Sequence, residues 1–376
     1  MTLYKNARIF TGGRFVFGSF RVEDGRFAEI LPGGATEPGT DLHGQIVIPG
    51  LVDIHIHGCG GADLSDGTLS AVENMGAYLA SRGVTSFVPA SMTLPPERLT
   101  AAFSSAASYR EKHPANSARL MGVRMEGPFL SAGKKGAQNG DYLLLPDPSL
   151  VRQLNEGCGG LIRVIDIAPE LPGAAELAEK LAPELTVSAG HTEADYDCAA
   201  DFFDRGGSHV THLFNAMPAL HHRAPGVIGA AAERESVSAE LISDGYHVHP
   251  STVRIAFRLF PGRLCLVSDA LRCCGMPEGE YELGGQTVFL RDGVARLPDG
   301  TIAGAASDLY EDMLRAVSFG IPAEEAVAAV TEIPARIIGQ KDEIGVIVQG
   351  ARADFIVCDE ALRRRAVYLG GELVGE

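Results

Sequence analysis

The middle of the chain alternates between short apolar runs and longer segments with helical periodicity. Eight nearly continuous apolar runs predict strands at 46–57, 84–91, 120–126, 161–168, 185–191, 209–214, 237–243 and 264–269. Most gaps between them hold a helical pattern, such as 69–81 and 193–205, that ends at glycine. Apolar strands that alternate with helices are typical of parallel sheets covered on both faces. We therefore predict an α/β fold, a (β/α)8 TIM-like barrel, with a doubly wound open sheet as the main alternative.

The two ends of the chain show a different pattern, in which short strand-like pieces are separated by glycine-rich turns. Short strands separated by glycine-rich turns are typical of β-hairpins. The simplest account is a small β-sandwich subdomain built from residues 1–49 and 345–376, with residues 50–344 forming the barrel. Three Gly-containing turns within 273–303 predict a β-hairpin insertion after the eighth strand.

Composition narrows the classes of function. A formal net charge of −16 argues against general affinity for nucleic acid or an anionic membrane. The seven cysteines are scattered, and adjacent Cys273 and Cys274 are typical of free thiols in a reducing compartment. No run of 18 apolar residues and no signal-like amino terminus is present. We expect a soluble, cytoplasmic protein without nucleic-acid or membrane partners.

Polar residues recur where the apolar runs end. These residues are His55, His57, Glu126, His191, His212 and Asp269. Each alone is weak evidence, since an isolated His-x-His is more often structural. A barrel, however, brings the carboxyl ends of its strands around one opening, where barrel enzymes carry their chemistry. Histidine and carboxylate together suit zinc or another first-row divalent ion.

The chemistry assigns separate tasks to these residues. Fixed ligands hold the ion, which lowers the pKa of a bound water toward about 7. A carboxylate near that water can accept its proton and later protonate the leaving group, and Asp269 is the natural candidate. The alternative interpretation of Asp269 is a helix N-cap or a loop hydrogen bond.

Several motifs extend these single residues. The specific ones are Met125-Glu126-Gly127-Pro128-Phe129 and His212-Leu213-Phe214-Asn215-Ala216-Met217, and Gly190-His191-Thr192, Asp244-Gly245-Tyr246-His247 and the more widely shared Ser268-Asp269-Ala270 accompany them. With them the chain resembles the amidohydrolase superfamily and, within it, the enzymes that deacetylate N-acetylglucosamine 6-phosphate. The resemblance implies a (β/α)8 barrel with a β-subdomain from both termini. It also implies release of acetate and glucosamine 6-phosphate, by attack of a metal-bound hydroxide on the acetamide with Asp269 as acid/base.

The resemblance also implies roles for individual residues. Glu126, His191 and His212 match the main metal ligands, and His55 with His57 permits a second ion. One or two divalent ions per chain are expected, with zinc as the leading candidate and iron, manganese or cobalt as alternatives. The residues that match substrate contacts are Ala137, Gln138, Asn215, Ala216, Arg223, Tyr246, His247, Ile302, Ala303, Gly304 and Ala305. A homodimer is the expected assembly.

Some of these substrate contacts have alternative interpretations, and two of them differ from the residues common in the family. The planar fork of Arg223 suits a phosphate, although beside His221 and His222 it could be a solvated cation, as could Lys134 and Lys135. Gln138 stands where many members have histidine, so a proton-dependent role is in doubt there. Ala305 replaces a serine common in the family, so a hydroxyl contact is lost.

Two other functions stay open at this point. One is an amidohydrolase of another substrate, such as N-acetylgalactosamine 6-phosphate, a cyclic amide or an N-acyl amino acid, because fold alone does not define substrate. The other is a non-catalytic barrel that binds a sugar phosphate. Retention of every expected ligand and of Asp269 argues against the second.

Overall fold

The core of the chain consists of parallel strands, seen in a computed structural model that describes residues 1–375. One sheet contains Leu51–Ile56, Val84–Pro89 and Arg119–Leu120, and another contains Val123–Glu126, Ile162–Ile167, Thr186–Ala189, His209–Val210, Ser238–Leu241 and Leu264–Leu266. In both sheets, strands that follow one another along the chain are parallel neighbours. Each predicted apolar run contains one of these strands, so the α/β prediction is confirmed.

Hydrogen bonds join the two parallel sheets near the ends of their strands. Between the sheets, the Ser91 amide donates to the Arg124 carbonyl at 3.0 Å. Between the last and first strands, the Asp269 amide donates to the His55 carbonyl at 2.9 Å, and the His57 amide donates to the Ala270 carbonyl at 2.9 Å. The end of Val84–Pro89 is therefore held next to Val123–Glu126, and the end of the last strand is held next to that of the first.

Helices fill most of the gaps between the parallel strands. They are Leu69–Arg82, Pro96–Lys112, Pro148–Gly157, Ala174–Leu181, Tyr196–Asp204, Gly226–Ala232, Pro250–Leu259, Leu309–Ser318, Ala323–Val330 and Glu332–Ile337, with 3₁₀ turns at Leu64–Asp66, Ala132–Lys134 and Gly140–Tyr142. The helix predicted from residue 193 begins at Tyr196, because the Asp195 side chain caps it by accepting from the Cys198 amide. Within residues 1–375, no helix is long and apolar enough to cross a membrane.

Both termini contribute to a separate mixed sheet. Its strands are Thr2–Thr11, Arg14–Glu23, Arg26–Pro32, Thr40–Asp41, Ile46–Pro49, Phe355–Cys358, Arg364–Leu369 and Glu372–Leu373. The first apolar run is thus divided at Gly50, where a Cβ atom would lie 2.2 Å from the Thr85 hydroxyl. Residues 46–49 pair with Phe355–Cys358 of the terminal sheet, and residues 51–56 enter the core. The boundaries at 49/50 and 344/345, and a sandwich arrangement of this sheet, stay predictions.

The predicted insertion after the last core strand is an antiparallel sheet. Its strands are Gly279–Leu283, Gln286–Arg291, Val294–Arg296 and Ile302–Gly304, and a short hairpin of Gly58–Cys59 with Ala62–Asp63 follows the first core strand. The insertion returns to the core through a parallel bridge between Ala270 and Ala305. It therefore places its last strand beside Asp269.

Candidate active site

Glu126 lies at the centre of the predicted metal residues. Its Oε1 atom is 3.0 Å from His191 Nε2 and 3.4 Å from His212 Nε2. Its Oε2 atom is 2.9 Å from His57 Nε2 and 3.4 Å from His55 Nε2. We call His55, His57 and Glu126 the first-strand triad, and Glu126, His191 and His212 the mid-chain triad. Each carboxylate oxygen of Glu126 therefore faces one pair of imidazoles.

The backbone turns sharply where these residues leave their strands. His191, His212 and Asp269 all have positive φ angles, of 47°, 26° and 48°. Such conformations are costly for residues other than glycine and concentrate at functional sites. Gly127 follows Glu126 with φ of 82°, and a Cβ atom there would lie 2.0 Å from the Thr93 hydroxyl, so glycine is required. The motifs thus specify the turns that point ligands into the opening.

Hydrogen bonds on the outer ring nitrogens prepare two imidazoles for metal binding. His55 Nδ1 lies 2.6 Å from the Glu240 carboxylate, and His191 Nδ1 lies 2.8 Å from the Lys134 carbonyl. Both partners only accept, so the proton resides on Nδ1 and the Nε2 lone pair is left for an ion. The ligand atoms within each triad lie within 4.8 Å of one another and are all buried. This donor set fits a divalent metal ion.

The carboxylates of the site are ionised in spite of their burial. Burial raises the pKa of Glu126, but the nearby imidazoles of His55 and His57 outweigh it and hold that pKa well below its usual range. Burial likewise raises the pKa of Asp269, and the same two imidazoles lower it by more. Against the effect of burial, the same contacts raise the pKa of His55 and raise that of His57 to about 10, so these imidazoles carry the charge that balances the two buried anions, and a bound cation could take the place of their protons.

Asp269 is fixed by backbone contacts on both sides. Its Oδ1 atom lies 3.3 Å from His57 Nε2 and 3.5 Å from His55 Nε2. Its amide donates to the His55 carbonyl, and its carbonyl accepts from the Ala305 amide at 2.9 Å. The N-cap alternative fails, because the next helix begins at Leu309 and is capped by Asp308. The Asp269 carboxylate is therefore available beside the metal residues.

A cavity of about 320 Å³ opens over both triads. The predicted residues that line it are His57, Glu126, Ala137, Gln138, His191, His212, Asn215, Ala216, His247, Asp269, Ile302 and Ala303. Sequence reasoning did not assign Met92, Gly133, Gly136 or Thr301 to it, and Lys134 was interpreted as solvated although it lines the cavity. For three of these residues, Gly133, Lys134 and Gly136, the available signal was their closeness in sequence to the predicted substrate residue Ala137.

Four predicted substrate residues lie outside this cavity. Arg223 is exposed in a turn where its amide donates to His221 Nδ1 at 3.3 Å. Tyr246 is 51% exposed. Gly304 and Ala305 lie behind Ile302 and Ala303, where Ala305 supports the backbone of Asp269. Any contact of these four residues with substrate stays a prediction.

The structure shows the surroundings of Gln138 and Ala305, the two residues that differ from the family pattern. The Gln138 side chain is buried, and its oxygen accepts from the Thr93 amide at 2.6 Å. It therefore joins the loop after Glu126 to the loop after the second core strand, and only its NH₂ group is left for a ligand. Ala305 is buried against the core and contributes a backbone amide, which a serine would also contribute.

A larger cavity, of about 870 Å³, lies at the opposite ends of the core strands. Thr186, Ser208 and Ser238 line it near the starts of their strands, and no predicted site residue is among its lining residues. Volume alone therefore does not mark the chemistry, which depends on the converging histidines and carboxylates.

A protein-family sequence model described as "Amidohydrolase family" matches residues 46–374, which is most of the chain. The chain belongs to the amidohydrolase family. Within that family it is similar to the N-acetylglucosamine-6-phosphate deacetylase of Bacillus subtilis (strain 168), at 35% identity over 350 residues that cover 90% of this chain and 88% of the relative. The resemblance found from the motifs is thereby confirmed.

Two further amidohydrolase relatives bear on the substrate. The N-acetylgalactosamine-6-phosphate deacetylase of Escherichia coli O157:H7 is 30% identical, over 94% of this chain and 93% of the relative. A solved structure of an aspartate-to-alanine variant of the Mycobacterium smegmatis N-acetyl-D-glucosamine-6-phosphate deacetylase, in complex with N-acetyl-D-glucosamine-6-phosphate, is 32% identical with a TM-score of 0.93. That match covers 100% of this chain and 99% of the solved one.

Proposed function

We propose that this protein hydrolyses the acetamide of N-acetylglucosamine 6-phosphate to acetate and glucosamine 6-phosphate. The observation that carries the proposal is the buried Glu126 carboxylate, which faces four imidazoles and lies with Asp269 at the wall of one cavity. Similarity to deacetylases of this sugar phosphate over nearly the full chain supports the choice of substrate.

The two triads would hold the metal of the site. Glu126, His191 and His212 are the proposed main ligands, and His55 with His57 supplies a second position that shares Glu126. A bound divalent ion polarises the amide carbonyl and lowers the pKa of a water molecule toward about 7. We propose zinc, with iron, manganese and cobalt as alternatives that the same donors accept.

Asp269 is the proposed proton carrier. Its lowered pKa keeps the carboxylate ionised at neutral pH, so an oxygen is free to accept a proton from the attacking water. The same oxygen then protonates the departing amine nitrogen, which would otherwise leave as a poor anionic group. The backbone hydrogen bonds of Asp269 to His55 and Ala305 hold the carboxylate in place during both transfers.

His247 and Lys134 are proposed to attract the phosphate. His247 lines the cavity, and its Nδ1 atom lies 2.7 Å from the Asp244 carboxylate. Burial lowers the pKa of His247, but the hydrogen bond to Asp244 outweighs it and raises that pKa above its usual value. The imidazolium form is thus favoured in a protein that is otherwise strongly acidic. Arg223 contributes only if its exposed turn reaches the substrate.

Acetate release from a phosphorylated and an unphosphorylated sugar tests the proposal. Purified protein restored with zinc should release acetate from N-acetylglucosamine 6-phosphate much faster than from unphosphorylated N-acetylglucosamine. His247→Gln should raise KM for the phosphorylated sugar about tenfold, the equivalent of about 1.4 kcal/mol, with little effect on the unphosphorylated sugar. Arg223→Gln is the matched variant, because it removes the charge of an exposed cation that does not line the cavity. No acetate release with zinc, manganese or iron would contradict the proposed function.

N-acetylgalactosamine 6-phosphate is the second candidate substrate, favoured by the Escherichia coli O157:H7 relative. The two sugars differ only in the orientation of one hydroxyl group, so the triads and Asp269 serve both. The kcat/KM ratio for the two sugar phosphates decides between them.

The finer architecture is part of the same proposal. We propose that the parallel strands close as a (β/α)8 barrel, supported by the hydrogen bonds between the last and first strands. We propose a sandwich-like terminal subdomain of residues 1–49 and 345–376, supported by Tyr4, Phe20 and Phe355, whose ring centroids lie 5.1 Å apart pairwise. The family resemblance supports a cytoplasmic homodimer without nucleic-acid or membrane partners.

A further inference from the structure

Glu240 is a fully buried carboxylate that lies behind the proposed metal ligands. It belongs to the core strand Ser238–Leu241 and no solvent reaches it. Its Oε1 atom accepts from His55 Nδ1 at 2.6 Å and from the His212 amide at 3.0 Å. One oxygen thus contacts the side chain of one triad and the backbone of the other.

The opposite oxygen of Glu240 is held by cations and donors of the core. Oε2 accepts from Arg124 at 2.6 Å and from His209 Nε2 at 3.0 Å. Arg124 is itself fully buried and forms a two-point ion pair with Asp166, at 2.8 and 2.7 Å. Burying an ionised carboxylate is costly unless such partners compensate for it. The buried guanidinium of Arg124 therefore stabilises the Glu240 anion beside His55.

A carboxylate on the outer nitrogen of a ligand imidazole has a defined effect. It fixes the tautomer and the ring orientation, and it makes the inner nitrogen a stronger electron donor. Because Glu240 also holds the His212 amide, its position governs where both ligands stand relative to Glu126. The competing explanation is that Glu240 only neutralises Arg124, a task that Asp166 shares.

We propose that Glu240 is a positioning residue for the metal site, which orients His55 through its ring and His212 through its backbone and so couples the two triads. The inference rests on the metal site of the proposed function. It does not depend on which amide is hydrolysed, because metal binding is measured without substrate.

Two variants of Glu240 and one matched control test the inference. Glu240→Gln removes the charge, and Glu240→Asp keeps a charge in the core while its shorter side chain withdraws the carboxylate from His55. Asp166→Asn is the control, because it removes a buried carboxylate from the same arginine but contacts no proposed ligand. For each purified protein, zinc per chain is measured by elemental analysis, zinc affinity by chelator competition, and stability of the metal-free protein by urea unfolding.

Both Glu240 variants should bind zinc roughly 10–100-fold more weakly at the first-strand triad. Asp166→Asn should keep the metal affinity of the wild type while unfolding at lower urea. The proposal is overturned if Glu240→Asp binds zinc like the wild type, and equally if Asp166→Asn loses metal to the same extent. Should Glu240→Gln fail to fold, Glu240→Asp decides the question alone.

Discussion

The two triads share Glu126 but are supported in different ways. In the first-strand triad, the outer nitrogen of His55 meets the buried Glu240 carboxylate, which the core fixes through Arg124. In the mid-chain triad, the outer nitrogen of His191 meets the Lys134 carbonyl, which belongs to a 3₁₀ turn near the surface. A carboxylate buried in the core is held rigidly, whereas a carbonyl in a surface turn moves with that turn. We therefore expect the two positions to respond differently to substitution.

Removal of the shared ligand is the strongest test of this comparison. Glu126→Gln weakens both positions at once, since each Glu126 oxygen faces one histidine pair. We expect zinc content to fall below one ion per chain and acetate release to fall to background. If one ion were retained at full occupancy, Glu126 would belong to one triad only.

Replacement of Asp269 tests whether it is a ligand of the first-strand triad. Asp269→Asn should lower kcat by roughly 10²–10⁴-fold, the usual contribution of a general acid/base, while both ions stay bound. Activity and zinc content are measured on the same preparation. Loss of an ion along with activity would instead make Asp269 a fourth member of that triad.

The histidine pairs separate the two positions. The double variant His55→Gln with His57→Gln should lose about one ion per chain and keep part of the activity. The matched double variant His191→Gln with His212→Gln should lose the principal ion and nearly all activity. Equal residual activity in the two double variants would remove the distinction between a principal and a second ion.

A loop substitution should give the smallest effect. Gly136 has φ of 56°, and an added Cβ atom would lie 3.5 Å from the His191 ring. Gly136→Ala should therefore strain the turn that carries Lys134, at a cost of about 1 kcal/mol, and weaken metal binding at the mid-chain triad several-fold. Chelator competition should leave the first-strand position unchanged. Weakening at both positions alike would show that the loop supports the whole site.

The proposed metal residues could be predicted from the sequence because each lies near the carboxyl end of a strand. Parallel strands bring their carboxyl ends together, so His57, Glu126, His191, His212 and Asp269 could be expected in one place without knowledge of any contact. Their turns are also local, since Gly127 and the positive φ residues belong to the motifs themselves. Local sequence patterns were therefore sufficient to predict most residues of the candidate site.

The supporting residues were not predictable in this way. Glu240 and Arg124 lie inside strands and are 116 residues apart, so nothing local relates one to the other or either to His55. Lys134 acts on His191 through its backbone carbonyl, which no side-chain pattern records. Exposure of Arg223 likewise depends on how its turn packs. Long-range contacts and backbone contacts are what single-sequence reasoning missed.

The insertion after the last core strand has a consequence for what can enter the site. Ile302 and Ala303 line the cavity from one side, and the Gln286 side chain donates to the Ala137 carbonyl, another lining residue, at 2.5 Å. A pocket of about 320 Å³ bounded by such a contact has room for a single sugar ring. Oligosaccharides and sugars still attached to protein or lipid would meet the insertion first. We therefore expect the site to accept single sugar units, with selection by size preceding selection by charge.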